Sequence, residues 1–445
     1  MVNVAFPMAR PGEARHTPAP YSPRLGAPFR TTPAVTDTPP TGPLADLTVL
    51  DLSRVLAGPW SAQVLGDLGA DVIKVEQPGQ GDDTRRWGPP FLDDGSRDSA
   101  YFLCINRNKR SIAIDMARPE GADLIRSLAM KSDILIENFR VGGLAKYGLD
   151  YASLSAINPG LIYCSVTGFG QTGPHKDRGG YDFLIQGMSG LMSVTGRPDG
   201  EPGAGPLKVG TPTSDLSTGL YATIGILAAL NHRHATGRGQ HVDCALLDTQ
   251  VSLMANQASS YMNGGQGPRR MGNGHPSLTP YEDFAAADGE ILIALGNDRQ
   301  FRDLCSVLGL AALGEDARFH DNAGRNANRA ELRRLLSDAI VGWRSTDLLS
   351  AMDAVKLPAG RVNSVPEMLA DPQIEARELR HTLKRADGTP VDVLGFPARL
   401  SETPADYRRA PPRAGEDTAD VLRSVLALDD VEIARLRAMG VVAGD

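Results

Sequence analysis

From residue 47 onward, short apolar runs alternate with amphipathic stretches, and this alternation constrains the fold more than any other feature of the chain. Residues 47–52 read as a strand. Pro59 then opens a helical segment with Trp60, Val64, Leu65 and Leu68 on one face, Gly69 closes it, and residues 70–76 form the next strand. The unit recurs as a strand at 111–116, a helix opened by Pro119 with Leu124, Ile125 and Leu128 facing inward, and a strand at 133–139; residues 161–167 add another. Strands that are apolar throughout need cover on both faces, so the alternation predicts an α/β fold with a parallel sheet.

A Gly- and Pro-rich stretch at 195–212 separates these units from a long apolar helix at 216–230, a short strand near 241–247 and another helix. Hairpins are predicted at 280–297 about Asp288-Gly289 and at 381–395 about Asp387-Gly388, with two helices at 326–356 and a last helix near 417–437. The first 44 residues hold 10 of the 32 prolines. Prolines at that density break helix and sheet alike, so this stretch reads as a disordered tail outside the fold, or as a transit segment.

Composition removes several function classes. A net charge of −7 gives no basic stripe for nucleic acid. The four cysteines include no CxxC pair and the eight histidines no HExxH, which argues against zinc and disulfides. The longest apolar run, 220–230, is about half the ~20 residues a membrane span needs. Unpaired cysteines suit a reducing compartment, the cytoplasm, or an organellar matrix if the tail is a transit peptide.

Gly168-Phe169-Gly170-Gln171-Thr172-Gly173 matches GxGxxG directly after a strand. The loop residues Pro174 to Gly180 follow where a dinucleotide site needs a helix N-terminus, so no nicotinamide or flavin is expected. Basic residues gather where strands end: Arg54, Lys74, Arg85, Arg86, Arg107, Lys109, Arg110, Lys146 and Arg178. Ligands of open α/β sheets lie there, so these residues either converge on phosphates or are solvated surface charges. Asp215, just before the long apolar helix, is an N-cap by local sequence or a carboxylate nucleophile kept ionised by the helix dipole. Tyr181-Asp182 follows a glycine turn and reads locally as a buried Tyr beside a turn or capping Asp, and Met271 to Pro276 reads as a connection or a water-excluding lid.

Together these blocks resemble the family III coenzyme A transferases of the CaiB/BaiF type, which include formyl-CoA transferase. The resemblance rests on Val49 to Pro59, Leu65 to Glu76, Asn106 to Ser111, Glu137-Asn138-Phe139, Arg178 to Asp182 and Gly237-Arg238-Gly239-Gln240, and runs from about Leu44 to the C-terminus. It implies a Rossmann-like large α/β domain built from both chain ends, a smaller α+β domain, and an interlocked homodimer. The implied division is a tail at 1–44, a CoA-binding domain at 45–212, linker helices at 213–275, a small domain at 276–370 and a C-terminal return at 371–445. The family's catalytic Asp falls on Asp215. Its CoA contacts fall on Leu56, Ala57, Gln77, Ile114, Asp115, Met116, Ala117, Asn138, Phe139, Arg140, Lys146, Arg178, Gly179, Gly180, Tyr181 and Asp182, and its shielding loop on Gly272, Asn273 and Gly274.

Coenzyme A or acyl-CoA is then a substrate, with no metal and no other cofactor. Relatives carry Gln at Leu56, Arg at Gln77 and His at Asp417. The blocks at 81–85 and 87–91 look most like succinyl-CoA:dicarboxylate transferases acting on acids such as glutarate. A remote carboxylate calls for an arginine, with Arg85, Arg107, Arg269 and Arg270 as the choices. The related α-methylacyl-CoA racemases are an alternative, disfavoured because Tyr181 stands where they use a His base. A CoA-binding protein without catalysis is a second alternative, with Asp215 only a cap.

Overall fold

The computed structural model describes residues 41–265 and 267–444. It has a mixed α/β fold with one large, mostly parallel sheet and smaller antiparallel sheets. Strands β1 (Thr48–Asp51), β2 (Asp71–Glu76), β3 (Lys109–Ile114), β4 (Ile134–Glu137), β5 (Ile162–Thr167) and β6 (His241–Ala245) run parallel in the order β3-β2-β1-β4-β5-β6. In β1 to β5 successive residues are buried whichever way they point, because helices cover both faces. On one face pack the Ala57–Asp67 and Thr213–Thr236 helices; on the other, the Pro119–Met130 helix and the C-terminal helices Thr418–Ser424 and Asp430–Ala438.

Three expectations about segment ends change. Gly42 and Leu44 lie against Leu68, the Leu44 N–H donating 3.0 Å to the Leu68 carbonyl, so the chain is already packed within the stretch expected to be tail; residues 1–40 of that stretch lie outside the described residues. The final helix is two helices, broken by Ala427 at φ 55°. A last strand not predicted, β7 (Val442–Ala443), pairs antiparallel with β3 and carries the chain end back to the large sheet's edge.

The hairpin of strands Tyr281–Ala286 and Gly289–Ala294 pairs with a third strand, Ala359–Arg361, which no periodicity announced because it is three residues long. Phe284, Ile291, Ile293, Phe301, Leu304, Leu332, Leu336 and Leu348 form its separate core. The second hairpin, Arg380–Lys384 with Pro390–Leu394, packs Leu383, Val391 and Val393 on Phe102 and Leu103. No helix among the described residues is long and apolar enough to cross a membrane.

Candidate active site

The strand order reverses between β1 and β4, and the loops leaving those two strands diverge there. Such a switch point opens a crevice at the strands' carboxyl ends. Here the crevice is a cleft of about 690 Å³, floored by the ends of β1 to β5. Asn138 fixes its centre: the Arg54 N–H donates 2.9 Å to Asn138 Oδ1, and Asn138 Nδ2 donates 2.6 Å to the Arg54 carbonyl. Those two bonds tie the β1 and β4 loops together across the switch.

The floor is a buried ionic lattice. Lys74 Nζ lies 2.9 Å from Asp82 and donates to the Ser53 carbonyl, while Lys109 Nζ donates 2.9 Å to Asp51. Lys74 holds the Asp82 carboxyl down at about 2 against the opposing effect of burial. Burial pushes Lys109 the other way, down to about 8. Lysines inside an apolar strand run such as 72–76 are the sequence signal for this lattice, since a buried charge must be paired.

Most residues expected to meet CoA line this cleft: Leu56, Ala57, Gln77, Ile114, Asp115, Met116, Ala117, Asn138, Phe139, Arg140, Lys146, Arg178, Gly179, Gly180 and Tyr181. Asp215 lines it as well. Lys176, Tyr147 and Leu246, which sequence reasoning missed, join them. Arg140, Lys146, Lys176 and Arg178 have no carboxylate partner among the described residues, so the cleft lining holds four unneutralised cations, which suits a polyanion. The Gly168 backbone closes against Gly180, whose Cα is 2.5 Å from a Cβ built at Gly168; both positions need glycine for this approach. The GxGxxG segment therefore shapes the cleft wall without starting a helix.

Other expected positions fall elsewhere. Asp182 does not line the cleft; its Oδ1 accepts from the Ser214 N–H at 2.8 Å and the Asp215 N–H at 3.4 Å, capping the Thr213–Thr236 helix from outside. Asp215 is correspondingly not the N-cap but the third residue of that helix, whose cap position is Pro212. Arg85 is buried in bonds to Glu76 and Asp98, and Arg107 in bonds to Asp67, so neither faces the cleft. Arg270 pairs with Asp199, Arg269 is exposed, and neither lines the cleft. The Gly272–Gly274 turn, with Asn273, sits beside the 195–207 segment, the Gly272 N–H donating 3.1 Å to the Gly196 carbonyl.

Asp215 is set apart electrostatically. Glu76, Asp82, Asp83 and Asp115 in the cleft each have an Arg or Lys within 4 Å, and Asp215 has none among the described residues. Burial, and then the Asp182 charge, push its carboxyl up to about 7, correcting the expectation that the helix dipole keeps it fully ionised. A carboxylate of raised basicity is a better nucleophile than an exposed one. Any reaction that uses Asp215 as an anion should lose rate as pH falls through about 7. Asp182→Asn keeps an oxygen for the Ser214 N–H and removes the charge, so the acid limb of kcat/KM should move to lower pH. A limb unmoved by this change would remove Asp182 from the titration.

Among the described residues, no cluster of three or more His, Cys, Asp or Glu is placed to hold a metal. Residues 44–418 match the model of CoA-transferase family III. The chain is 49% identical to the succinate–glutarate CoA-transferase of Agrobacterium fabrum, over 87% of this chain and 96% of that one. It is 40% identical to the human succinyl-CoA:glutarate CoA-transferase, over 90% of each. The crystal structure of a CaiB/BaiF family protein from Brucella suis superposes with a TM-score of 0.78 at 48% identity, covering 86% of this chain and all of that one. The protein is a CoA transferase and belongs to CoA-transferase family III.

Proposed function

We propose that this enzyme moves CoA from succinyl-CoA to a small dicarboxylic acid such as glutarate, with Asp215 as the covalent carrier. The observation that carries the reading is Asp215 itself, among the described residues the one cleft carboxyl without a basic partner, in a cleft whose lining also holds four cations with no carboxylate partner. The Asp215 carboxylate attacks the donor thioester carbonyl, the C–S bond breaks, and an aspartyl–acyl anhydride and CoA thiolate result. The thiolate then attacks the aspartyl carbonyl, releasing the donor acid and leaving an Asp215–CoA thioester. The acceptor carboxylate repeats these steps in reverse, leaves as the new acyl-CoA and restores Asp215. Neither intermediate survives water, so the half-buried setting of Asp215 favours transfer over hydrolysis.

Arg140, Lys146, Lys176 and Arg178 are the residues assigned to the CoA phosphates. The names of the Agrobacterium and human relatives support the donor and acceptor. Crossing several acyl-CoA donors with a panel of mono- and dicarboxylic acids tests the choice: highest kcat/KM is expected for succinyl-CoA with a dicarboxylate, and transfer to monocarboxylates alone rejects it.

The large domain at 45–212 and 371–445, the linker helices at 213–275 and the small domain at 276–370 are our division of the chain. An interlocked homodimer is supported by the Thr213–Thr236 helix, which leaves Leu220, Tyr221, Ile224 and Leu227 at least one-third exposed. Light scattering should give the mass of two chains, and a monomer would reject the pairing. Four free cysteines, three of them buried, support a reducing compartment, the cytoplasm.

A further inference from the structure

Behind the cleft lies a second cavity of about 320 Å³, which the proposed chemistry does not use. Arg140 and Val141 line both spaces, so the 140–147 loop is the partition between them. Gly142 at φ 75° and Gly148 at φ 64° bracket that loop with conformations other residues avoid. At the back of the cavity, Glu137, Ser165 and His241 stand on the adjacent strands β4, β5 and β6.

Glu137 is only 5% exposed, and its carboxylate accepts from the Ser165 hydroxyl and from the Phe139 N–H at 2.7 Å. Ser165 Oγ also lies 2.9 Å from His241 Nε2. The imidazole is fixed between Tyr151, stacked at 5.0 Å, and Tyr163, edge-on at 5.5 Å. The row of contacts ends on the Phe139 N–H, one residue beyond Asn138. Asn138 is the side chain that ties the two loops of the cleft.

We propose that Glu137, oriented by Ser165 and His241, is a positioning residue that couples proton binding behind the 140–147 loop to CoA affinity in the cleft. The inference rests on the reading of the cleft as the CoA site. As a carboxylate, Glu137 holds the Phe139 N–H with a charge-assisted bond; as a neutral acid it gives up about half that strength and the 138–140 turn loosens. The protonation falls in a useful range, because burial, reinforced by Asp243 on β6, lifts the Glu137 carboxyl to about 6 against the two bonds it accepts. The other groups facing this cluster are Tyr163 and Cys164 on β5, Asp150 and Tyr151 beyond the partition loop, and Arg140 at the mouth. Burial keeps the His241 imidazole below its ordinary value. CoA binding should thus weaken as pH falls through about 6 and be at full strength above it.

The test is the CoA dissociation constant measured by calorimetry from about pH 5 to about pH 8 on the full chain. CoA's own phosphate titrates in this range, so differences between variants carry the result. Glu137→Gln preserves an acceptor for the Phe139 N–H but cannot ionise. Wild type should lose about fivefold more affinity than this variant across the range, the cost of weakening one charged hydrogen bond. Ser165→Ala removes the donor that favours the carboxylate, so its transition should move to higher pH, a shift that a purely structural serine would not produce. A Glu137→Gln curve parallel to wild type, or an unmoved midpoint in Ser165→Ala, overturns the coupling. Absence of CoA binding by the wild type at every pH overturns the cleft assignment itself.

Discussion

Asp215→Asn should lower CoA transfer by roughly 10³-fold or more while CoA still binds. The amide is nearly isosteric and neither attacks a thioester nor forms the anhydride. Its substitution also removes a carboxyl that burial and Asp182 already push up to about 7, so folding should not suffer. Steady-state transfer, circular dichroism and CoA calorimetry on the same preparation separate these effects. A folded, CoA-binding variant with near-normal transfer would falsify the covalent role. It would leave the 690 Å³ cleft as a binding site whose chemistry is done by another group.

Arg85→Ala should destabilise the protein by about 3–5 kcal/mol, the usual cost of leaving buried charges unpaired. The guanidinium lies 2.6 and 2.8 Å from the two Glu76 oxygens, 2.8 Å from Asp98, and over the Phe102 ring at 3.6 Å. Asp98 in turn pairs with Arg385 at 2.6 Å, so the same carboxylate locks the second hairpin to the 83–99 segment. Glu76 also accepts from the Asp82 N–H at 2.7 Å. Losing Arg85 therefore unsettles the lattice beneath the cleft as well as the hairpin. Urea denaturation of the variant, followed by far-ultraviolet circular dichroism, measures the loss; an unchanged midpoint would mean the lattice contributes nothing net. Arg85→Lys should recover only part, because an ammonium cannot span two carboxylates with a planar fork.

The two predictions mark where reading the chain succeeded and where it stopped. Arg85 and Arg107 stood among four arginines offered for a substrate carboxylate, since a sequence shows that an arginine exists and not what surrounds it. Both find their carboxylates inside the protein: Arg107 reaches Asp67 from 40 residues away, Arg85 reaches Asp98 from 13. By contrast, the positions that the family resemblance implied for CoA, from Leu56 and Ala57 through Ile114 to Asn138, do line the cleft. A parallel sheet puts the carboxyl ends of its strands on one side. Asp182 was placed at the CoA site only by the family resemblance; its local reading, a turn or capping Asp, is what the structure has. Its carboxylate caps a helix 32 residues away.

By itself, then, the sequence determined the α/β layering and most of the order of strands and helices. Those follow from local periodicity and from where proline and glycine permit elements to begin and end. Only the tertiary structure decided which charges are spent on one another and which are left for a ligand. Pairing depends on through-space distance between residues far apart in the chain, and burial makes each pairing obligatory. Among the described residues, that division left Arg140, Lys146, Lys176 and Arg178 in the cleft lining with no carboxylate partner, left Asp215 there with no basic partner within 4 Å, and set Glu137 in the second cavity with Ser165 and His241.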